Sequence, residues 1–141
     1  MDLSLARRTV TAEAGEAAVK AAVAHGRAAG KAVVAAVVDA SGDLVALLRG
    51  DGAFKASITI AQDKAHTSAV FGAPTHALGA ELAANPALHQ GIALRPGVVL
   101  FGGGAPIVEG GVVIGGIGVS GGSEEDDRAC AAAGLWALGL R

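Results

Sequence analysis

Between Val98 and Gly122 the chain reads VVLFGGGAPIVEGGVVIGGIGVSGG, a stretch too rich in glycine and valine to be helical. Gly110-Gly111 supplies the two central residues of a tight hairpin turn, where positive φ costs glycine little. Three strands fit the stretch: Val98 to Phe101, Ala105 to Glu109, and Val112 to Val119. Strands this close in sequence pair antiparallel, so the fold must be built around an antiparallel sheet.

The same stretch carries the spacing G-x-G-x-x-G at Gly116, Gly118 and Gly121. A dinucleotide-binding fingerprint needs a strand before the glycines, a helix after them, and a second parallel strand with an acidic residue about 20 positions on. Twenty residues past Gly121 the sequence has reached Arg141. Glu124, Glu125, Asp126 and Asp127 also load the first turn of the following helix with negative charge, which suits the helix dipole and repels phosphate. The dinucleotide reading is therefore expected to fail. In its place, Gly115, Gly116 and Gly118 let either a helix or a ligand approach a strand closely, and glycine alone does not decide between them.

The rest of the chain supplies the layers. An alanine-rich helix is expected from Leu3 to Ala29, with Val10, Ala14, Ala18 and Ala21 on one side, stopped near Gly30. A β-branched run from Val33 to Val38, turn residues Asp39 to Asp43, and a second apolar run from Leu44 to Leu48 predict a β-hairpin. Helical spacing returns from Phe54 to Phe71 and ends before Pro74, and a shorter helix is expected from Thr75 to Ala84. Ser123 has the identity of an N-cap, with Asp126 three residues later, for a last helix running to Leu140. The expected architecture is a single α+β domain over residues 1–141, with a five-stranded, mainly antiparallel sheet covered by helices.

Length and composition fit that domain. A chain of 141 residues buries roughly 68–70% of its unfolded surface, and it has no apolar run of the roughly 18 residues a membrane helix needs. A net charge of −2, no tyrosine, three phenylalanines and one tryptophan remove both the electrostatic and the stacking signatures of nucleic-acid binding. The start has no apolar stretch behind Arg7 and Arg8, and Cys130 is the only cysteine, so a cytoplasmic location is expected.

Several motifs occur together, in order: RGDGA at Arg49 to Ala53, A-x-x-K-A at Ala61 to Ala65 with Thr67 after it, GGGAPI at Gly102 to Ile107, and IGGIGVSGG at Ile114 to Gly122 followed by Asp127. The sequence closely resembles the GlcG/HbpS heme-binding protein family, which includes the C-terminal domain of PduO-type proteins. The resemblance runs from about Ala12 to Gly134. It implies an α-β-α layered fold, assembly into dimers or larger symmetric oligomers, and, for some members, binding or degradation of heme. Small, flat apolar faces on alanine-rich helices also favour a homo-oligomer.

The chemistry-bearing residues are few. Arg49 and Asp51 flank Gly50 after the second strand, and they match the Arg-x-Asp-Gly motif of the family. Lys64 falls on the stripe of Ser57, Ile60, Ala61, Thr67 and Phe71, which should face the sheet. Such a lysine either snorkels or pairs with Asp51 or Asp127, or its desolvated amine serves as a base or anion anchor. Gly102, Gly103, Gly104 and Ser120 are candidate ligand-binding positions, where backbone N–H groups could converge on an anionic oxygen. Lys64, Arg49 and Asp51 are expected to share one pocket with them, and two cations against one carboxylate favour an anionic small molecule.

The four histidines have no zinc-motif spacing, and one cysteine cannot complete a Cys-x-x-Cys, so no metal site is expected. With tyrosine absent and Met1 the only methionine, a heme iron must be ligated by a histidine, Cys130 or a weaker oxygen donor. His66, His76 and His89 fall where the family pattern specifies nothing, which leaves His25, near the end of the first helix, as the candidate axial ligand. Two readings of function follow: a small-molecule-binding protein that takes heme, or a cofactor-independent isomerase, deaminase or hydrolase that moves a proton on a small carboxylate with Lys64, Arg49 and Asp51. A purely structural subunit is the third.

Overall fold

The computed structural model describes every residue from Met1 to Arg141. Its elements are α1 (Ala12–Ala28), β1 (Val34–Asp39), β2 (Leu44–Arg49), α2 (Ala56–Phe71), α3 (Thr75–Leu82), α4 (Pro86–Ala93), β3 (Gly104–Glu109), β4 (Val112–Ser120) and α5 (Glu124–Ala137). The strands form one antiparallel sheet in the order β2-β1-β4-β3. Both hairpins form as the turn residues require, with Gly110 and Gly111 at φ of 58° and 79° between β3 and β4.

The sheet has four strands rather than five. Val98 to Phe101 has strand-like residues, but its backbone polar groups go to side chains instead of a ladder. The Val99 N–H donates to Thr67 Oγ1 (3.0 Å), and the Phe101 carbonyl accepts from Thr75 Oγ1 (2.6 Å). Two helix threonines thus take the place of a fifth strand. The first helix also starts later than Leu3. Thr11 caps it by accepting from the Ala14 N–H (3.2 Å), and the residues before it run extended across the sheet, where the Val10 N–H donates to the Ile114 carbonyl (2.8 Å). Asn85-Pro86 opens a helix rather than only closing one: the Asn85 side chain accepts from the Leu88 N–H, and Pro86 occupies the first helical position, where its missing N–H costs nothing.

Strand alternation divides the interior in two. Ala35 and Val37 of β1 with Ile117 and Val119 of β4 pack against α1 and α5 in a cluster of 14 buried residues. Val34, Ala36 and Val38 meet Ala61, Ala65 and Ala69 of α2 in a cluster of only 7. On that second face β4 presents Gly116, Gly118 and Ser120. A Cβ on Gly116 would lie 2.6 Å from Ser68 Oγ, and one on Gly118 would collide with the backbone of Ala61 and Ala65. The glycines of the G-x-G spacing are therefore where α2 lies directly on the sheet.

Candidate functional site

Close approach of α2 carries Lys64 beneath the sheet. Its side chain is 1% exposed, the largest fully buried side chain in the molecule. Burying an ammonium is costly unless its donors are satisfied. Lys64 Nζ donates to the Val119 carbonyl (2.8 Å) and to Asp127 Oδ2 (2.9 Å), and it lies 5.1 Å from the centroid of the Phe101 ring. Of the two partners open to it from sequence, Lys64 takes Asp127. The second carboxylate oxygen, Asp127 Oδ1, accepts from the Gly122 N–H (2.9 Å). Burial raises the Asp127 pKa above the ordinary carboxylate value, against the opposing pull of the Lys64 and Gly122 hydrogen bonds.

Gly103 closes this network from outside. Its φ is +127°, and a Cβ there would stand 2.6 Å from Lys64 Nζ, so only glycine fits. Gly104 donates its N–H to Thr75 Oγ1 (3.0 Å), and Gly102 donates to the Glu124 carboxylate. Two of the three loop amides thus have internal partners. Ser120 Oγ donates to Ser57 Oγ (3.1 Å), and both serines are buried. Lys64 and Gly103 thus adjoin one buried network with Asp127 and Gly122, while Gly102, Gly104 and Ser120 bond to Glu124, Thr75 and Ser57.

Neither Arg49 nor Asp51 has a hydrogen bond or ion pair to this network. The Arg49 guanidinium folds back on its own turn and donates twice to the Ala53 carbonyl (2.9 and 3.2 Å). Asp51 is exposed and lines a cavity of about 390 Å³ with Val23, Arg27, Lys31, Val33 and Gly50. His25 is exposed near the C-terminal end of α1, the helix that supplies Val23 and Arg27 to that cavity. The sequence offers no signal for His76 or Arg128, which line a smaller cavity against Gly103 and Gly104. Only the fold brings α3 and α5 to the same loop.

An antiparallel sheet between α2 on one side and α1 with α5 on the other, its glycines filled by a helix, defines an α-β-α layered domain and not a dinucleotide-binding one. The family described as "Haem degrading protein HbpS-like" matches residues 10–136, and the chain belongs to it. An uncharacterized 15.0 kDa protein of Citrobacter freundii, from the dhaT-dhaS intergenic region, is 35% identical over 90% of each chain. A double mutant of Streptomyces reticuli HbpS superposes with a TM-score of 0.88 at 36% identity, over 96% of this chain and 90% of that one. A crystal structure of a PduOC:heme complex superposes with a TM-score of 0.85 at 30% identity, over 94% and 97%.

Proposed function

We propose that this chain is a heme-binding protein and that His25 is the iron ligand. The observation that carries the reading is the match, over nearly the whole chain, to a family whose solved members include a heme complex. The residues around His25 fit such a group. Helical spacing places Ala14, Ala17, Ala21 and Ala28 on the same side of α1 as His25, a flat, small-residue floor for a planar ring. Arg27 and Lys31, with Asp51 beside them, stand at the end of the same helix, where cations suit the anionic edge of a porphyrin.

Cys130 is a poor competitor for the iron. It is 2% exposed, and burial pushes its thiol up to about 11, so the thiolate that binds metal is scarce at neutral pH. Heme, when bound, supplies an iron centre for ligand binding or electron transfer. The chain's part is to offer the imidazole, the apolar floor and the cations. His25 lies on an exposed face of α1, and a second copy in a homo-oligomer would close the open side of that face.

The proton-transfer reading keeps only the exposed Asp51 as a free base. Lys64 is committed to Asp127 and Val119, and Arg49 to its own turn.

Titration of the protein with hemin tests the proposal. A saturable Soret shift is expected in the wild type, and His25→Ala should lose the low-spin signal while keeping its circular dichroism. No shift in the wild type overturns heme binding. An unchanged spectrum in His25→Ala overturns only the assignment of the ligand.

A further inference from the structure

We propose a second binding site, for a short-chain monocarboxylate, in the cleft where the start of α3 and the start of β3 meet α5. The cleft has a volume of about 190 Å³ and is lined by Pro74, His76, Gly103, Ala105, Arg128 and Leu135, among others. None of its lining residues belongs to α1, so it is separate from the face that carries His25.

Two polar groups of this cleft have no partner within the chain. His76 Nδ1 is buried and makes no hydrogen bond, the only buried side-chain nitrogen or oxygen in the molecule left in that condition. An orphaned buried polar atom costs about 1–3 kcal/mol, so a native fold that keeps one invites a reason. Arg128 is the second: it enters none of the ion pairs of the structure. Its stem packs over Gly102, where a Cβ would stand 3.0 Å from Arg128 Cδ, so the glycine loop seats the arginine beside the cleft.

The rest of the lining is apolar: Pro74, Ala105, Ala131, Ala132 and Leu135. A guanidinium and an imidazole next to an apolar wall match a carboxylate with a short hydrocarbon body. Burial, with the Arg128 charge beside it, holds the His76 pKa below its ordinary value. The ring is then largely neutral at pH 7 and offers one N–H, which donates to one carboxylate oxygen while Arg128 takes the other. Glu124, whose carboxylate accepts from the Gly102 N–H, lies close enough to His76 to raise its pKa and is the acidic neighbour of the cleft. It opposes a second negative charge, which selects monoanions over dianions. The volume corresponds to about six water molecules and falls below the roughly 300 Å³ at which drug-sized pockets begin, so the body of the ligand is three or four carbons long.

The test is an NMR titration of the full-length, histidine-labelled protein with sodium butyrate, in which the His76 imidazole signals are identified by their absence from His76→Gln. Butyrate should shift those signals saturably. Butyramide, the neutral analogue of the same shape, and Arg128→Gln with butyrate should each bind about tenfold more weakly or worse. Arg128 is exposed, so its replacement leaves the fold in place. No saturable shift of the His76 signals, equal binding of butyramide, or wild-type affinity in Arg128→Gln each overturns the proposal. Inorganic phosphate binding as tightly as butyrate overturns the hydrocarbon part of it.

Discussion

The two faces of the sheet are held by different means. Against α1 and α5, Ile107, Ile117, Val119, Val33 and Val37 interdigitate with alanines and valines in the ordinary apolar manner. Against α2, the strand opposite carries Gly116 and Gly118, so helix backbone meets sheet backbone, and beside a small cluster of valines and alanines lie hydroxyls and one ion pair. An apolar core tolerates a lost methyl at a graded cost, because neighbours relax. A backbone contact tolerates nothing added, because the atoms in the way belong to two hydrogen-bonded elements. Polar residues on that face are consequences of close packing before they are candidates for chemistry.

Adjacent residues of β4 can break this contrast. Gly118→Val should cost more than the roughly 1–3 kcal/mol usual for overpacking, since its side chain would enter the backbone of Ala61 and Ala65. Ile117→Ala, one position away on the other face, should cost about 2–5 kcal/mol and leave a folded protein. Urea midpoints of the two variants, with soluble yield as a second reading, check the pair. A Gly118→Val protein more stable than Ile117→Ala would show that α2 does not rest on the glycines.

A smaller effect belongs to the start of α5, where Asp126 is in reach of solvent and Asp127 is buried. Ser123 and Asp126 form a capping box, and Ser123→Ala should cost about 1 kcal/mol. Hydrogen bonds from the Ser123 backbone and hydroxyl lower the Asp126 pKa from 3.8. A carboxyl whose folded value is depressed contributes stability that is present above the unfolded value and lost as pH falls through the folded one. The stability gap between wild type and Asp126→Ala should therefore narrow as pH drops below about 3.8, as denaturation at stepped pH would show.

Much of the fold was legible from local rules. Ser123, Gly110-Gly111 and the β1–β2 hairpin act within a few residues, and each appears where its chemistry requires. Val98 to Phe101 misled because Thr67 and Thr75, distant in sequence, claim its backbone groups. At the candidate site, helical phase was enough to turn Lys64 toward the sheet, and Asp127 stood among its possible partners. Arg49 comes to the same end of the sheet as Ser120, each opposite Val34, yet its guanidinium is held by the Ala53 carbonyl, a bond that helical phase and motif spacing do not announce. His76 and Arg128 were silent for the same reason: their meeting is a property of tertiary packing, without a local pattern to announce it.

The central claim is that the Lys64–Asp127 pair holds the α2 face together and is not a reacting group. The most direct measurement is the unfolding free energy and hemin affinity of Lys64→Met beside those of Lys64→Met/Asp127→Asn. Removing Lys64 alone leaves a buried carboxylate with only the Gly122 N–H, and should cost about 3–5 kcal/mol. The double variant keeps an acceptor for Gly122 without the unpaired charge, and should regain more than half of that loss while binding hemin as the wild type does. A Lys64→Met protein of undiminished stability that no longer binds its ligand would contradict the claim and return Lys64 to the functional site.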